Sequence, residues 1–296
     1  MKRLLKWVGY IIGGIVVLIL VFVGVIYAIT STRIAKTYPT QVEPVAVATD
    51  SGTIERGRHL TQAVGKCMNC HGDNLAGKMM ADDPVFARLW ATNLTRGKGG
   101  VGASYTDADY VRSIRYGVRS NGKPVFFMPS EAYIHFNDSD LGAIIAYVKS
   151  VPPVDQVIPK PSIGPIARTL SVLTEFPLLP ARMIDRDAPR PAHVAIGVTK
   201  EYGDYLLKTG GCTSCHNPNL SGGGAMQGVK VPNLTPAGIG RWSEADFIKA
   251  LRTGVRPDGR ILSAAMPWPY TRYLTDDEIR AMWMYLQSLP ARPAGG

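Results

Sequence analysis

The chain's four cysteines fall in two five-residue segments, Cys67-Met68-Asn69-Cys70-His71 and Cys212-Thr213-Ser214-Cys215-His216. On one helical turn, two thiols three residues apart can add to the two vinyl groups of a haem. The histidine that follows then lies under the iron as its proximal ligand. A redox dithiol or half of a zinc site would use a similar cysteine pair. The trailing histidine, present both times, favours haem attachment. On this reading Cys67, Cys70, Cys212 and Cys215 attach two covalently bound haem c groups, and His71 and His216 ligate their irons.

The sixth iron position decides between an enzyme and a wire. An open position binds peroxide or a small gas, whereas a protein ligand closes the iron to such chemistry. Some fifty to sixty residues beyond each motif stands a methionine followed by proline, Met128 and Met266. A thioether is a soft donor, and histidine with methionine raises the reduction potential relative to stronger donor pairs. Core packing is the alternative for any methionine. Met79, Met80 and Met226 lie nearer the motifs but lack counterparts in the other half. His59, His135 and His193 read as structural or solvated. Asn93 and Asn233 suit turns; Arg119 and Arg256 suit either haem propionates or the surface.

These residues belong to an internal repeat. Thr92-Asn93-Leu94-Thr95, Tyr105 to Tyr110, Arg115 to Arg119 and Phe127-Met128-Pro129 follow the first motif. Pro232-Asn233-Leu234-Thr235, Trp242 to Phe247, Arg252 to Arg256 and Ala265-Met266-Pro267 follow the second in the same order. Thr106 with Asp109 and Ser243 with Asp246 resemble capping boxes that open helices. Apolar stripes at helical spacing occupy Leu141, Ile144, Ile145 and Val148, and again Ile279, Met282, Trp283 and Leu286. Alternating strand patterns are nearly absent. The expected fold is mainly α, an N-terminal transmembrane helix followed by two haem domains with long wrapping loops.

The expected organisation is a cytoplasmic N-terminus and transmembrane anchor over 1–30, a juxtamembrane linker over 31–51, a haem domain over 52–151, a proline-rich connector over 152–194, a second haem domain over 195–290 and a tail over 291–296. Trp7 to Ile29 carries no charge and as a helix would reach roughly 34 Å, enough for a bilayer core. It reads as a retained anchor rather than a cleaved signal, whose apolar region would be shorter. Lys2, Arg3 and Lys6 precede it and favour a cytoplasmic start. The expected location is therefore the cell inner membrane, single-pass, with the haem domains on the periplasmic side. A net charge of +10 over 296 residues suits an acidic partner, an anionic lipid surface or a plain basic exterior. No nucleic-acid-binding motif occurs.

From Pro232 to Pro267 the segments Pro-Asn-Leu-Thr, Trp-Ser-Glu-Ala-Asp-Phe, Arg-Thr-Gly-Val-Arg-Pro-Asp-Gly-Arg and Ala-Met-Pro resemble the membrane-bound class I cytochromes c. More narrowly, the chain is similar to the cytochrome c subunits that accompany quinoprotein alcohol, aldehyde and gluconate dehydrogenases. It departs from the best-known members in having two haem motifs rather than three. The resemblance implies two class I cytochrome c domains with His71–Met128 and His216–Met266 as axial pairs. The function expected is a membrane-tethered dihaem electron relay between a dehydrogenase or quinol-linked donor and a terminal acceptor. It would be an electron carrier with redox partner proteins, with no catalytic residues and no small-molecule substrate of its own. The alternatives are a dedicated subunit of a respiratory or photosynthetic complex and, in another class, a dihaem peroxidase.

Overall fold

The computed structural model describes residues 1–174, 176–186, 193–226 and 228–296, and the side chain of Met226 lies outside that description. Prolines 189 and 191 of the connector also lie outside it. A single 34-residue helix, α1 (Lys2–Ala35), begins the chain, and only Ile26 and Thr30 along it are buried. The first repeat then contributes α2 (Ser51–His59), which runs on through a π-helical turn at Leu60–Val64, and α3 (Cys67–His71). It continues with α4 (Asp107–Tyr116), α5 (Ser130–Tyr133) and α6 (Asp138–Ser150). After α7 (Pro165–Leu173) in the connector, the second repeat supplies α8 (Lys200–Thr209), α9 (Cys212–His216) and α10 (Pro236–Ile239). It closes with α11 (Glu244–Thr253), α12 (Trp268–Thr271) and α13 (Asp276–Ser288).

Local chemistry sets the ends of these helices. Both expected capping boxes form, Thr106 with Asp109 opening α4 and Ser243 with Asp246 opening α11. A third, Thr275 with Glu278, opens α13. Helices α4 and α11 stop at Gly117 and Gly254 in the left-handed region, at φ 62° and 73°. A side chain on Gly254 would also collide with the Trp268 ring, 2.7 Å from the position of a Cβ.

In each repeat the entry helix crosses the final helix at close range, α2 on α6 and α8 on α13. Glycine makes this possible. A Cβ on Gly57 would lie 1.9 Å from the Ala143 carbonyl oxygen, and one on Gly203 would lie 2.1 Å from that of Ala281. The two crossings are equivalent, and they pair Arg56 with Tyr202 and His59 with Tyr205 as repeat counterparts.

One apolar core runs through both repeats without interruption, from Leu60, Phe136 and Ile145 to Tyr205, Leu206 and Ile279. The haem halves therefore share their interior. A smaller core gathers Leu89, Ile163, Ala167, Leu178 and Leu179, with Ile34 from the end of α1 packed against it. Strand is confined to short segments, in keeping with the mainly α expectation. β1 (Met79–Asp83), β2 (Ala87–Trp90) and β3 (Ser162–Ile163) form an antiparallel sheet in that order, joining the first repeat to the connector. A two-stranded pair, β4 (Ala225–Met226) and β5 (Val229–Lys230), occupies the second repeat. Such short strands carry too few residues to show an alternating pattern, and only the β2–β3 pairing joins segments far apart in the sequence.

Candidate functional site

Both attachment turns are bracketed by left-handed residues, which let one helical turn stand alone between loops. Lys66 and Gly211 precede them at φ 52° and 70°; Gly72 and Asn217 follow at φ 78° and 67°. In each repeat the loop that follows folds back, Leu94 N–H donating to the Leu75 carbonyl at 2.8 Å and Leu234 N–H to that of Leu220 at 2.9 Å. This return brings a carbonyl to each histidine. His71 Nδ1 lies 2.8 Å from the Thr92 oxygen and His216 Nδ1 lies 2.8 Å from the Pro232 oxygen. A carbonyl can only accept, so Nδ1 carries the proton and Nε2 keeps its lone pair. Burial lowers both imidazole pKa values more than these bonds raise them. The ring is thus held neutral and oriented, in the form that ligates a metal.

The thiols do not resemble a reactive dithiol. Burial, the largest cause, pushes Cys67 up to about 12 and also raises Cys70, Cys212 and Cys215. A redox-active pair would instead hold a depressed thiol. Among the described residues, no three His, Cys, Asp or Glu side chains converge as a zinc site requires.

Met128 and Met266 occupy matching places. Behind Gly117 and Gly254 the chain forms a narrow loop, closed by Val125 N–H to the Gly117 carbonyl at 2.8 Å and by Leu262 N–H to that of Gly254 at 2.7 Å. Each loop delivers its methionine just before a proline that caps a short helix, α5 or α12. Both methionine side chains are half-buried against the shared core. Met79 and Met80 sit instead on an exposed strand, 52% and 42% accessible.

The remaining polar candidates are accounted for by contacts within the chain. Asn93 and Asn233 accept from the N–H groups of Thr95 and Thr235 at 2.9 and 2.8 Å, forming the expected turns. Their amide groups also donate across the repeat to the chain beyond the final helix, to Val154 O at 2.9 Å and Arg292 O at 2.7 Å. Arg119 stacks over Phe126, and Arg256 pairs with Asp258 at 3.4 Å. His135 is half-buried, with burial and the nearby Lys208 lowering its pKa, and His193 is exposed.

The tertiary structure brings the two motifs together through a residue that sequence reading did not single out. Lys66 is half-buried and donates to Val64 O at 2.8 Å and to Gly210 O at 2.7 Å. It thereby ties the start of one attachment turn to the approach to the other, while burial lowers its pKa. Tyr133 donates to the Gly65 carbonyl on the same side.

A second junction between the repeats is a buried polar cluster. Arg56 holds Asp140 with two hydrogen bonds, at 3.0 and 3.1 Å, and Tyr205 OH donates to the same carboxylate at 2.7 Å. Reciprocally, Glu278 receives Tyr202 OH at 3.2 Å and faces His59 Nε2 at 2.8 Å. Each repeat thus reaches the acidic residue that opens the other's final helix. The matching positions of Asp140 and Glu278 were the available sequence signal.

Comparison with known proteins follows the same division of the chain. Residues 201–290 match the family described as Cytochrome c, and residues 52–148 match Cytochrome C oxidase, cbb3-type, subunit III. The chain is 31% identical to the cytochrome c subunit of alcohol dehydrogenase (quinone) from Gluconacetobacter polyoxogenes, over 82% of this chain and 57% of that one. It is 32% identical to the gluconate 2-dehydrogenase cytochrome c subunit of Pantoea cypripedii, over 81% and 60% respectively. A diheme cytochrome c-type protein of Cereibacter sphaeroides is 26% identical over 86% of this chain and 92% of its own length. The chain therefore spans little more than half of the dehydrogenase subunits it matches.

Proposed function

Taking as premise that this chain is a dihaem c-type cytochrome, we propose that it is a membrane-tethered relay passing single electrons between a periplasmic-side donor and an acceptor in the same membrane. The haem groups, when bound, supply reversible one-electron redox chemistry. The chain supplies attachment, ligation, burial and a fixed mutual orientation.

Cys67, Cys70, Cys212 and Cys215 would attach the haems. His71 with Met128 and His216 with Met266 would ligate the two irons. Several features support this assignment. Each histidine is locked by a carbonyl into the tautomer whose Nε2 can ligate, and each methionine sits on an equivalent loop against the core. Arg115, fully buried, also fits a haem carboxylate. It donates to Phe136 O at 2.9 Å and pairs with Asp138 at 2.5 Å, yet its Nε and Nη1 have no partner among the described residues.

The observation that carries the relay reading is the Lys66 bridge, which sets the two attachment turns side by side on one continuous core. Two independent carriers joined by a linker would need neither feature. The apolar helix α1, exposed along nearly all its length, supports a single-pass anchor in the inner membrane. We take the donor to be a quinone-linked dehydrogenase, following the named relatives.

Purification of the tagged full-length chain from its native membranes in mild detergent tests this reading. Recovery of a dehydrogenase whose substrate reduces both haems is the expected result. Recovery of an oxidase or a photosynthetic complex alone would reassign the protein to that assembly. Stoichiometric carbon monoxide binding at one reduced haem would favour peroxidase chemistry.

A further inference from the structure

We propose that the basic cavity beside the end of α1 binds the phosphate of an anionic phospholipid headgroup, an inference that rests on reading α1 as a membrane anchor. The cavity, about 490 Å³, is lined by Arg33, Lys36, Tyr38, Arg182 and Arg186, with Pro39 and Ala181. Four cations thus face one space, and no carboxylate is among the described residues that line it.

The cations are held in place by neutral groups. Arg33 Nη1 and Arg182 Nη1 both donate to the Ser171 carbonyl, at 3.0 and 3.5 Å. Two guanidinium groups therefore share a single uncharged acceptor. Arg186 donates to Ala181 O at 2.9 Å, while its Nε is buried without a partner among the described residues. Lys36 and Arg186 both lie over the Tyr38 ring, 5.4 and 5.8 Å from its centroid. Among the described residues, these contacts fix the groups through uncharged partners. Gathering like charges in this way costs free energy that a bound anion returns, and planar guanidinium groups suit phosphate in particular.

Depth favours a lipid over a free ion. Arg33 follows the last residue of the apolar run, Ile29, by one helical turn, roughly 6 Å of rise, which is headgroup level for a helix spanning the bilayer. The connector runs beside it at that level. Arg168 of α7 donates to Thr30 Oγ1 at 2.7 Å, and its guanidinium lies 4.4 Å from the centroid of the Tyr27 ring. Ile166, Leu173 and Met183 remain 48%, 63% and 44% exposed. Apolar side chains beside clustered cations are what an interfacial surface presents to acyl chains and headgroups.

The test uses the haem-loaded full-length protein, reconstituted into phosphatidylcholine vesicles with or without phosphatidylglycerol. Flotation with neutral vesicles reads the anchor. Native mass spectrometry after gentle detergent release then counts the lipids retained. Wild type should float with both vesicle types and retain phosphatidylglycerol in preference to phosphatidylcholine. At roughly fivefold per basic residue at an anionic surface, R182Q/R186Q should lower that preference by about twenty-five-fold, and exposed Lys36→Gln alone by about fivefold. Lys149→Gln, on α6, should leave it unchanged. Flotation with equal retention by wild type and R182Q/R186Q, or by wild type and Lys36→Gln if the double variant fails to take up haem, would overturn the site while leaving the anchor intact. Inorganic phosphate displacing the retained lipid at micromolar concentration would reassign the site to a free anion. Failure of wild type to float would overturn the anchor and this site with it.

Discussion

Replacing Glu278 by alanine removes the carboxylate on which the junction between the repeats depends. Its side chain is only 3% accessible and meets His59 Nε2 at 2.8 Å and Arg56 Nη1 at 3.6 Å. It also accepts from Tyr202 OH at 3.2 Å and from the Thr275 N–H at 2.9 Å. Breaking a buried ionic group by deleting one partner costs about 3–5 kcal/mol, so Glu278→Ala should destabilise the fold by that amount. Glutamine keeps an acceptor for Tyr202 and the capping N–H but loses the charge; its cost should be about 1.5–3 kcal/mol. Burial alone would raise the pKa of this carboxyl. The hydrogen bond and charge of His59, with the Thr275 N–H and Arg56, outweigh burial and hold it below its ordinary value of 4.5. The group's stabilisation is therefore complete above the unfolded value and fades as pH falls through the lower folded one. Guanidinium unfolding of the haem-loaded protein in detergent, followed by tryptophan fluorescence, reads both effects. Near neutrality wild type should exceed both variants in stability. As pH falls below the ordinary value of 4.5, the gap to Glu278→Gln should narrow. A Glu278→Ala protein within about 0.5 kcal/mol of wild type, as for an ordinary surface substitution, would refute the reasoning.

Other outcomes follow from the same geometry. Met128→Ala and Met266→Ala should each lower the potential of one haem and open it to carbon monoxide, leaving covalent attachment intact; redox titration and ligand-difference spectra check this. Gly57→Val and Gly203→Val would drive a side chain into the carbonyls of Ala143 and Ala281, and each should cost about 3 kcal/mol or more, measured as a loss of unfolding free energy. Lys66→Met leaves the Val64 and Gly210 carbonyls without their donor and should cost about 1–3 kcal/mol. The same variant should loosen the approach of the two attachment turns, read as weaker magnetic coupling between oxidised haems by electron paramagnetic resonance.

The local chemistry of this protein was legible in its residues. Attachment by Cys-x-x-Cys-His needs one helical turn and its own side chains, so the motifs stand out at any place in a sequence. Caps are equally local, and Thr106 with Asp109 and Ser243 with Asp246 declare their helices within four residues. The repeat matched the loops carrying Met128 and Met266 because each closes on itself through hydrogen bonds between near neighbours. Three-dimensional packing alone decided which distant residues met. No short-range pattern ties Lys66 to Gly210, or sends His59 to Glu278 while Tyr205 reaches Asp140. These contacts exist because Gly57 and Gly203 let two helix pairs cross closely enough for the repeats to merge into one core. The convergence of Arg33 with Arg182 and Arg186 likewise required the connector to fold back onto the anchor helix. A pairing between residues far apart along the chain leaves no periodicity to read, so the sequence determined the chemistry of each haem site and the tertiary structure decided how the two sites stand together.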